Sequence, residues 1–221
     1  MNNHTPSRLI PFWVKIAYTA FMAVLVPVYW ANYGPTNFLY FCDVALFLTL
    51  VGMWVESPLL ISLPAVGILL PQIFWCVDFF TRLCGVNLTG MTEYMFDAAN
   101  PLFLRGLSLF HGWLPFLLLW LVFRTGYDKR AFKGWAVLSV ALCLTGYFLL
   151  PAAGAELADS KTPRNVNYVF GMDDAKPQEW MSAPLYLVTW MALLTILIYL
   201  PTHLLLKKIC PTPEQAAAKR A

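Results

Sequence analysis

The sequence predicts an all-α, polytopic membrane protein: one integral membrane domain over residues 1–221, built as a bundle of six transmembrane helices. Three observations carry that reading. The chain is 59% hydrophobic and 12% charged, about half the charged share of soluble domains. Its apolar residues gather into six runs of 19 to 25 residues, the length needed to cross a hydrocarbon core of about 30 Å. The strands of a membrane barrel would be half as long and would alternate in polarity, and these runs do not alternate.

Residues 1–9 are polar, and the first run covers residues 10–30. Its one interior charge, Lys15, has an aliphatic stem that lets the ammonium snorkel to the near interface. A cleaved signal peptide would need a small-residue site after the apolar stretch. None follows Val28, and five more runs come after it, so this run is read as a retained helix. Gly34-Pro35-Thr36 turn the chain into the second run, residues 37–55. The third covers 58–80, the fourth 102–124, the fifth 132–151 and the sixth 182–206. Pro27, Pro64, Pro71, Pro115 and Pro201 lie within runs and predict kinks whose freed carbonyls are satisfied by neighbours or cavity water.

Two connections are long, residues 81–100 and 154–181. Lysines and arginines divide unequally between the two faces of this topology. One face holds ten (Arg8, Lys15, Arg124, Lys129, Arg130, Lys133, Lys207, Lys208, Lys219, Arg220), the other five (Arg82, Arg105, Lys161, Arg164, Lys176). The positive-inside rule then puts both termini in the cytoplasm and both long loops outside. The expected location is the cell membrane, in the manner of a bacterial inner-membrane protein.

Composition also excludes functions. A net charge of +3, with no basic run interleaved with aromatics, argues against a nucleic-acid partner. Cys42, Cys76, Cys84, Cys143 and Cys210 are scattered, with no C-x-x-C and no Cys/His spacing suited to zinc. No metal and no cofactor are expected. An odd number of cysteines leaves at least one thiol free, and the spacing assigns no disulfide. The expected partners are membrane lipids, including an acyl-chain substrate.

The fourth run carries the chemistry. His111 lies about a third of the way along it, and an ionisable group at that depth is a functional-site hypothesis by default. Ser108, His111, Gly112 and Pro115 fall on one helical face, polar or small, while Leu114, Leu117, Leu118 and Leu121 look elsewhere. By rise per residue, Asp43 lies about 9 Å into the second run from the same outer side. A carboxylate there needs a donor, and His111 or Arg105 would supply it. Gln72, Cys76 and Asp78 share the outer half of the third run. Arg105 stands at the outer mouth of the fourth, where it would bind a phosphate or carboxylate headgroup. Asp78 with Arg82 at i+4 reads as an interfacial ion pair. The whole distribution points to a polar cavity opening outward. The segment Asn165 to Met172, with Asn167 and Tyr168, has no helical period, and is either a lid over that cavity or a plain connection.

Two short motifs carry a resemblance. N-F-L-Y-F-C-D, from Asn37 to Asp43, resembles the opening of the second helix in the androgen-induced-protein family. His111, in H-G-W-L-P-F, is similar to that family's helix-four histidine. The resemblance implies six helices and an intramembrane hydrolase of fatty-acid esters. The N-V-N-Y segment is closer to related bacterial membrane proteins and to a related acyltransferase. The position of the family's threonine nucleophile is taken here by Tyr40, which is poorly suited to an ester intermediate. Either Cys42 is the nucleophile in a rotated helix, or His111 acts on water, or the scaffold has lost the chemistry.

The leading expectation is therefore a lipid hydrolase or acyltransferase. His111 is its general base, Asp43 orients the ring and Cys42 is the candidate nucleophile. Arg105, Tyr40, Gln72, Ser108, Asn167 and Tyr168 line the substrate. The alternatives are a binding or transport protein with the same cavity, and a non-catalytic membrane scaffold.

Overall fold

The computed structural model describes residues 9–157 and 162–219, and among them the chain is helical with no strand. In order come α1 Phe12–Tyr33, α2 Phe41–Trp54, α3 Pro58–Leu83, α4 Leu102–Ser108, α5 Phe110–Thr125, α6 Ala131–Leu149, α7 Ala183–Leu193, α8 Leu200–Ile209 and α9 Pro213–Ala218. Five stretches are long and apolar enough to cross a membrane: Phe12–Tyr33, Pro58–Leu83, Leu102–Thr125, Ala131–Leu149 and Ala183–Ala218. They are compatible with a multi-pass membrane protein. Arg8, Lys161 and Arg220, which entered the charge division between the faces, lie outside the described residues.

The element α3 is central, packing against α2, α5, α6 and α8. Ser57 caps its start by accepting from the Leu60 N–H at 3.3 Å, and Pro58 occupies the first position, where a missing N–H is harmless. Close approach to α6 depends on Gly67, since a Cβ there would overlap the Trp135 indole.

At one end, which we call the Glu56 end, the chain is tied by hydrogen bonds and ion pairs. Glu56 accepts from the Leu9 and Ile10 N–H groups at 3.1 and 3.3 Å and pairs with Lys15 at 2.7 Å. Lys15 thus does not snorkel outward; it is 5% exposed and spans to the α2–α3 turn. The Arg124 Nε donates to the Leu9 carbonyl, and the Tyr127 N–H to the Pro211 carbonyl at 2.7 Å. Gly126, at φ 88°, lets the chain pass against Thr212 and Pro213 at the start of α9. His203 of α8 meets the Tyr127 hydroxyl at 2.7 Å through Nδ1.

The second expected span is the short one. Its helix has 14 residues against 26 in α3, roughly 21 Å against 39 Å. Because the two form a hairpin at the Glu56 end, α2 begins about level with Gln72, deep among its neighbours. Its first residue, Phe41, has its ring 6.2 Å from that of Trp135. The space beyond is filled by the segment around Val166–Tyr168, a 3-10 turn in which Asn165, Val166, Asn167 and Val169 are all at most 2% exposed. We call this the Asn167 end. The segment is neither a plain connection nor a flap on the surface; it is built into the bundle as a plug.

The last long stretch is not a regular helix. Residues Leu194–Tyr199 between α7 and α8 are π-helical. Pro201 has no N–H for the carbonyl of Leu197, and the ladder shifts register just before it.

Candidate functional site

The N-terminus of α2 is capped from far along the chain. The Asn167 Oδ1 accepts the Phe41 N–H, its Nδ2 donates to the Leu39 carbonyl, and the Trp190 Nε1 donates to its main-chain carbonyl, all at 2.9 Å. Both ends of the Asn167 amide are therefore used in holding the plug. Two residues into the helix sits Asp43, in the first turn, where the helix dipole favours an acid. The expected 9 Å depth from the outer end of a long helix does not hold, because α2 starts late; the depth comes from α2 being short. Asp43 is 2% exposed. Its Oδ2 accepts from the Asn37 Nδ2 at 3.4 Å and the Cys42 Sγ at 3.6 Å, and its Oδ1 has no partner.

Facing this end is one side of α3. Gln72 and Trp75, 2% and 4% exposed, share a helical face, and the Gln72 amide and the Trp75 indole N–H have no hydrogen-bond partner. Buried polar groups left unpaired are costly and few in folded proteins. Several of them lie toward this end of the bundle.

His111 closes the cluster. The fourth run breaks at Leu109 into α4 and α5, and the Ser108 carbonyl at the break accepts from the His111 Nδ1 at 2.8 Å. A carbonyl only accepts, so Nδ1 carries the proton and the neutral ring keeps its lone pair on Nε2. The ring stacks on Phe110 and Trp75, with centroids 4.0 and 5.2 Å away. Pro115, four residues on, leaves the His111 carbonyl without its helical partner, and the Cys76 Sγ reaches it at 3.8 Å. His111 and Cys76 are half-buried residues on the facing helices α5 and α3.

The Ser108 hydroxyl pairs with that of Tyr29 at 2.9 Å, and Tyr29 lies within electrostatic reach of Asp43. The Tyr94 hydroxyl lies beside Trp75 and Ser108. Burial pushes the Tyr94 hydroxyl up, so it stays protonated at neutral pH. Arg105 donates from Nη1 to the Met95 carbonyl at 3.1 Å. The Tyr40 hydroxyl reaches the Arg164 carbonyl at 3.5 Å.

Several sequence expectations are thereby corrected. No hydrogen bond or ion pair joins His111 to Asp43: the acceptor that orients the ring is the Ser108 carbonyl, freed by the helix break. Arg105 does not pair with Asp43 either, and Cys42 bonds Asp43 rather than His111. Asp78 does not pair with Arg82. It accepts from the N–H and hydroxyl groups of Thr89 and Thr92, at 2.7 to 2.9 Å, and organises the loop, while Arg82 meets Glu93 at 3.3 Å. The expected outward-open cavity is closed by the plug. All five cysteines are free. Trp75, Tyr29 and Tyr94 were not expected in the cluster; the i, i+3 spacing of Gln72 and Trp75 was the one available signal.

The fold and cluster define an all-helical chain with several apolar, membrane-length helices and a buried polar centre at one end. Set against known families, curated proteins and solved structures, the chain matches none of them.

Proposed function

We propose that the chain is a six-span protein of a cell membrane, with both termini cytoplasmic, that hydrolyses acyl esters of lipids. In this topology α2 counts as the sixth span together with the turn and plug that complete its length. The observation that carries the reading is the His111 ring, held by its Nδ1–H on the Ser108 carbonyl so that Nε2 faces the reaction as a base. A lipid ester would approach the ring from the side, between α3 and α5, where the residue as a whole is half-buried. The resemblance of the Asn37–Asp43 and His111 motifs to an intramembrane ester hydrolase family agrees with it.

Water is the nucleophile, since among the described residues no thiol or hydroxyl bonds Nε2. Its oxygen attacks the ester carbonyl carbon while its proton passes to Nε2. The carbonyl π electrons move to oxygen, and the resulting oxyanion is met by the N–H donors of Gln72 and Trp75. Collapse breaks the C–O bond to the alcohol, and the leaving oxygen takes the proton back from Nε2. The products are a fatty acid and an alcohol.

The test is His111→Asn in purified protein supplied with an acyl ester. The asparagine amide can still donate to Ser108 but is no base, so hydrolysis falls about 10²- to 10⁴-fold with the fold intact. Unchanged turnover would remove His111 from the mechanism.

A second reading, ligand passage, is favoured by one observation. The Trp135 Nε1 and the Tyr199 hydroxyl, at most 1% exposed, lie together with Ser139 as buried polar groups inside the bundle, and His203 lies one turn beyond Tyr199 toward the Glu56 end. Solute flux into proteoliposomes, lost in Tyr199→Phe, would support passage over hydrolysis.

A further inference from the structure

Arg105 is the cation of the Asn167 end whose geometry asks for something the chain does not contain. Among the described residues it makes no ion pair, whereas Arg82, Lys15, Arg130 and Lys176 each have a carboxylate. One corner of its guanidinium is fixed by the Met95 carbonyl through Nη1. That leaves the opposite edge, Nε with Nη2, the edge on which a guanidinium grips two oxygens of an oxyanion at once. Nε is sealed from solvent and has no acceptor. Nε therefore faces inward rather than out into water.

The surroundings say from which side an anion arrives. On the same helix, Leu102 and Phe103 are 76% and 59% exposed, and Leu109 follows at 43%. A cation flanked by exposed apolar side chains suits an amphiphile better than a soluble ion. Six residues, with the break at Leu109 between them, separate Arg105 in α4 from His111 in α5, a rise on the order of 9 Å along the run. In a glycerophospholipid the phosphate and the ester carbonyls are separated by the glycerol backbone, a distance of that order.

We propose that the substrate is a phosphate-bearing glycerolipid, its phosphate held on the Nε/Nη2 edge of Arg105 while an acyl ester lies against His111. This rests on the ester-hydrolase reading. It adds a specificity residue, because a neutral glycerolipid offers Arg105 no anion.

The experiment compares phosphatidylglycerol with diacylglycerol of the same acyl chains, using purified protein in mixed micelles and the variants R105Q and R105K. R105Q keeps a donor for Met95 but loses charge and fork. The expected result is a KM for phosphatidylglycerol about ten- to hundred-fold below that for diacylglycerol, a preference that collapses in R105Q with kcat held within about twofold. If R105Q does not fold, R105K, which keeps the charge without the Nε edge, is expected to lose most of the preference.

Equal use of both lipids by the wild type, with R105Q altering neither KM, overturns the inference and leaves the hydrolase reading standing. If neither lipid is hydrolysed, native mass spectrometry decides: phosphatidylglycerol retained by the wild type and lost in R105Q upholds the anion site while the hydrolase reading falls. Inorganic phosphate that displaces the lipid at millimolar concentration and binds lipid-free protein equally well would make this a soluble-anion site and overturn the lipid assignment.

Discussion

Asn167→Ala tests the account of the short second helix. Asn167 closes two hydrogen bonds of 2.9 Å, one to the Phe41 N–H and one to the Leu39 carbonyl, and stands at φ 62°. Removing its side chain leaves the Phe41 N–H without an acceptor inside the bundle, at about 1–3 kcal/mol, and the Leu39 carbonyl without its donor, at about 0.5–1.5 kcal/mol. Alanine at a left-handed backbone adds about 1 kcal/mol. The total is about 2.5–5.5 kcal/mol. Asn167→Gly escapes the last part and should be about 1 kcal/mol milder. Asn167→Asp keeps an acceptor for Phe41 and should fall between Asn167→Gly and the wild type. Equilibrium unfolding in mixed detergent micelles, followed by tryptophan fluorescence, gives the differences. An alanine variant within about 1 kcal/mol of wild type, or equal to the glycine variant, would show that the segment merely lies over α2 and does not hold it.

Three further outcomes are expected. Burial disfavours the Glu56 carboxylate, but the Lys15 ammonium and the N–H groups of Leu9 and Ile10 outweigh it and hold the carboxyl below its ordinary value of 4.5. A depressed folded value means that the stability it contributes is complete above the ordinary value and is lost as pH falls through the folded one. Melting temperature against pH should therefore drop in that acid window, and Glu56→Gln should be less stable at neutral pH and flatter below it. Gly67→Ala drives a methyl into the Trp135 indole and should destabilise by about 1–3 kcal/mol, a loss that Trp135→Leu in the same chain partly restores in the unfolding assay. Cys84 is the one exposed thiol of the five, so maleimide labelling in mild detergent should show a single fast phase that Cys84→Ser abolishes.

The helices were legible because burial in an apolar medium demands long apolar runs, and length alone separates them. The runs at 58–80 and 102–124 lie within α3 and within α4 with α5, and the fifth, at 132–151, matches α6 to within two residues. Composition could not reveal that residues 37–55 start their helix only at Phe41. Leu39 and Tyr40 are as apolar as the first residues of α2, and the signal that stops a helix there is a cap supplied by Asn167, 126 residues away. The same kind of remote partner misled the reading of Asp78. Arg82 at i+4 was visible along the chain, whereas Thr89 and Thr92 reach Asp78 only because the loop folds back over it.

His111 shows why the site was found but its wiring was not. An imidazole in an apolar run stands out by type, and so does an aspartate in the neighbouring run, which makes their pairing the natural guess. Backbone carbonyls are invisible to that logic, since every residue has one. Only a broken helix frees a carbonyl at the right place, and the break at Leu109 gives the ring a partner three residues behind it on the same chain. Asp43 is thereby released from orienting His111. Its unpartnered Oδ1 joins the Gln72 amide and the Trp75 indole among the buried groups without a partner. Two donors and two acceptors (the Gln72 Nε2 and Trp75 Nε1, the Asp43 Oδ1 and Gln72 Oε1) are a set that, on the proposed hydrolase reading, would suit an ester and a water better than a packed core. An all-apolar replacement of Gln72, such as Gln72→Leu, should then raise stability while lowering turnover, a trade that a purely structural glutamine would not show.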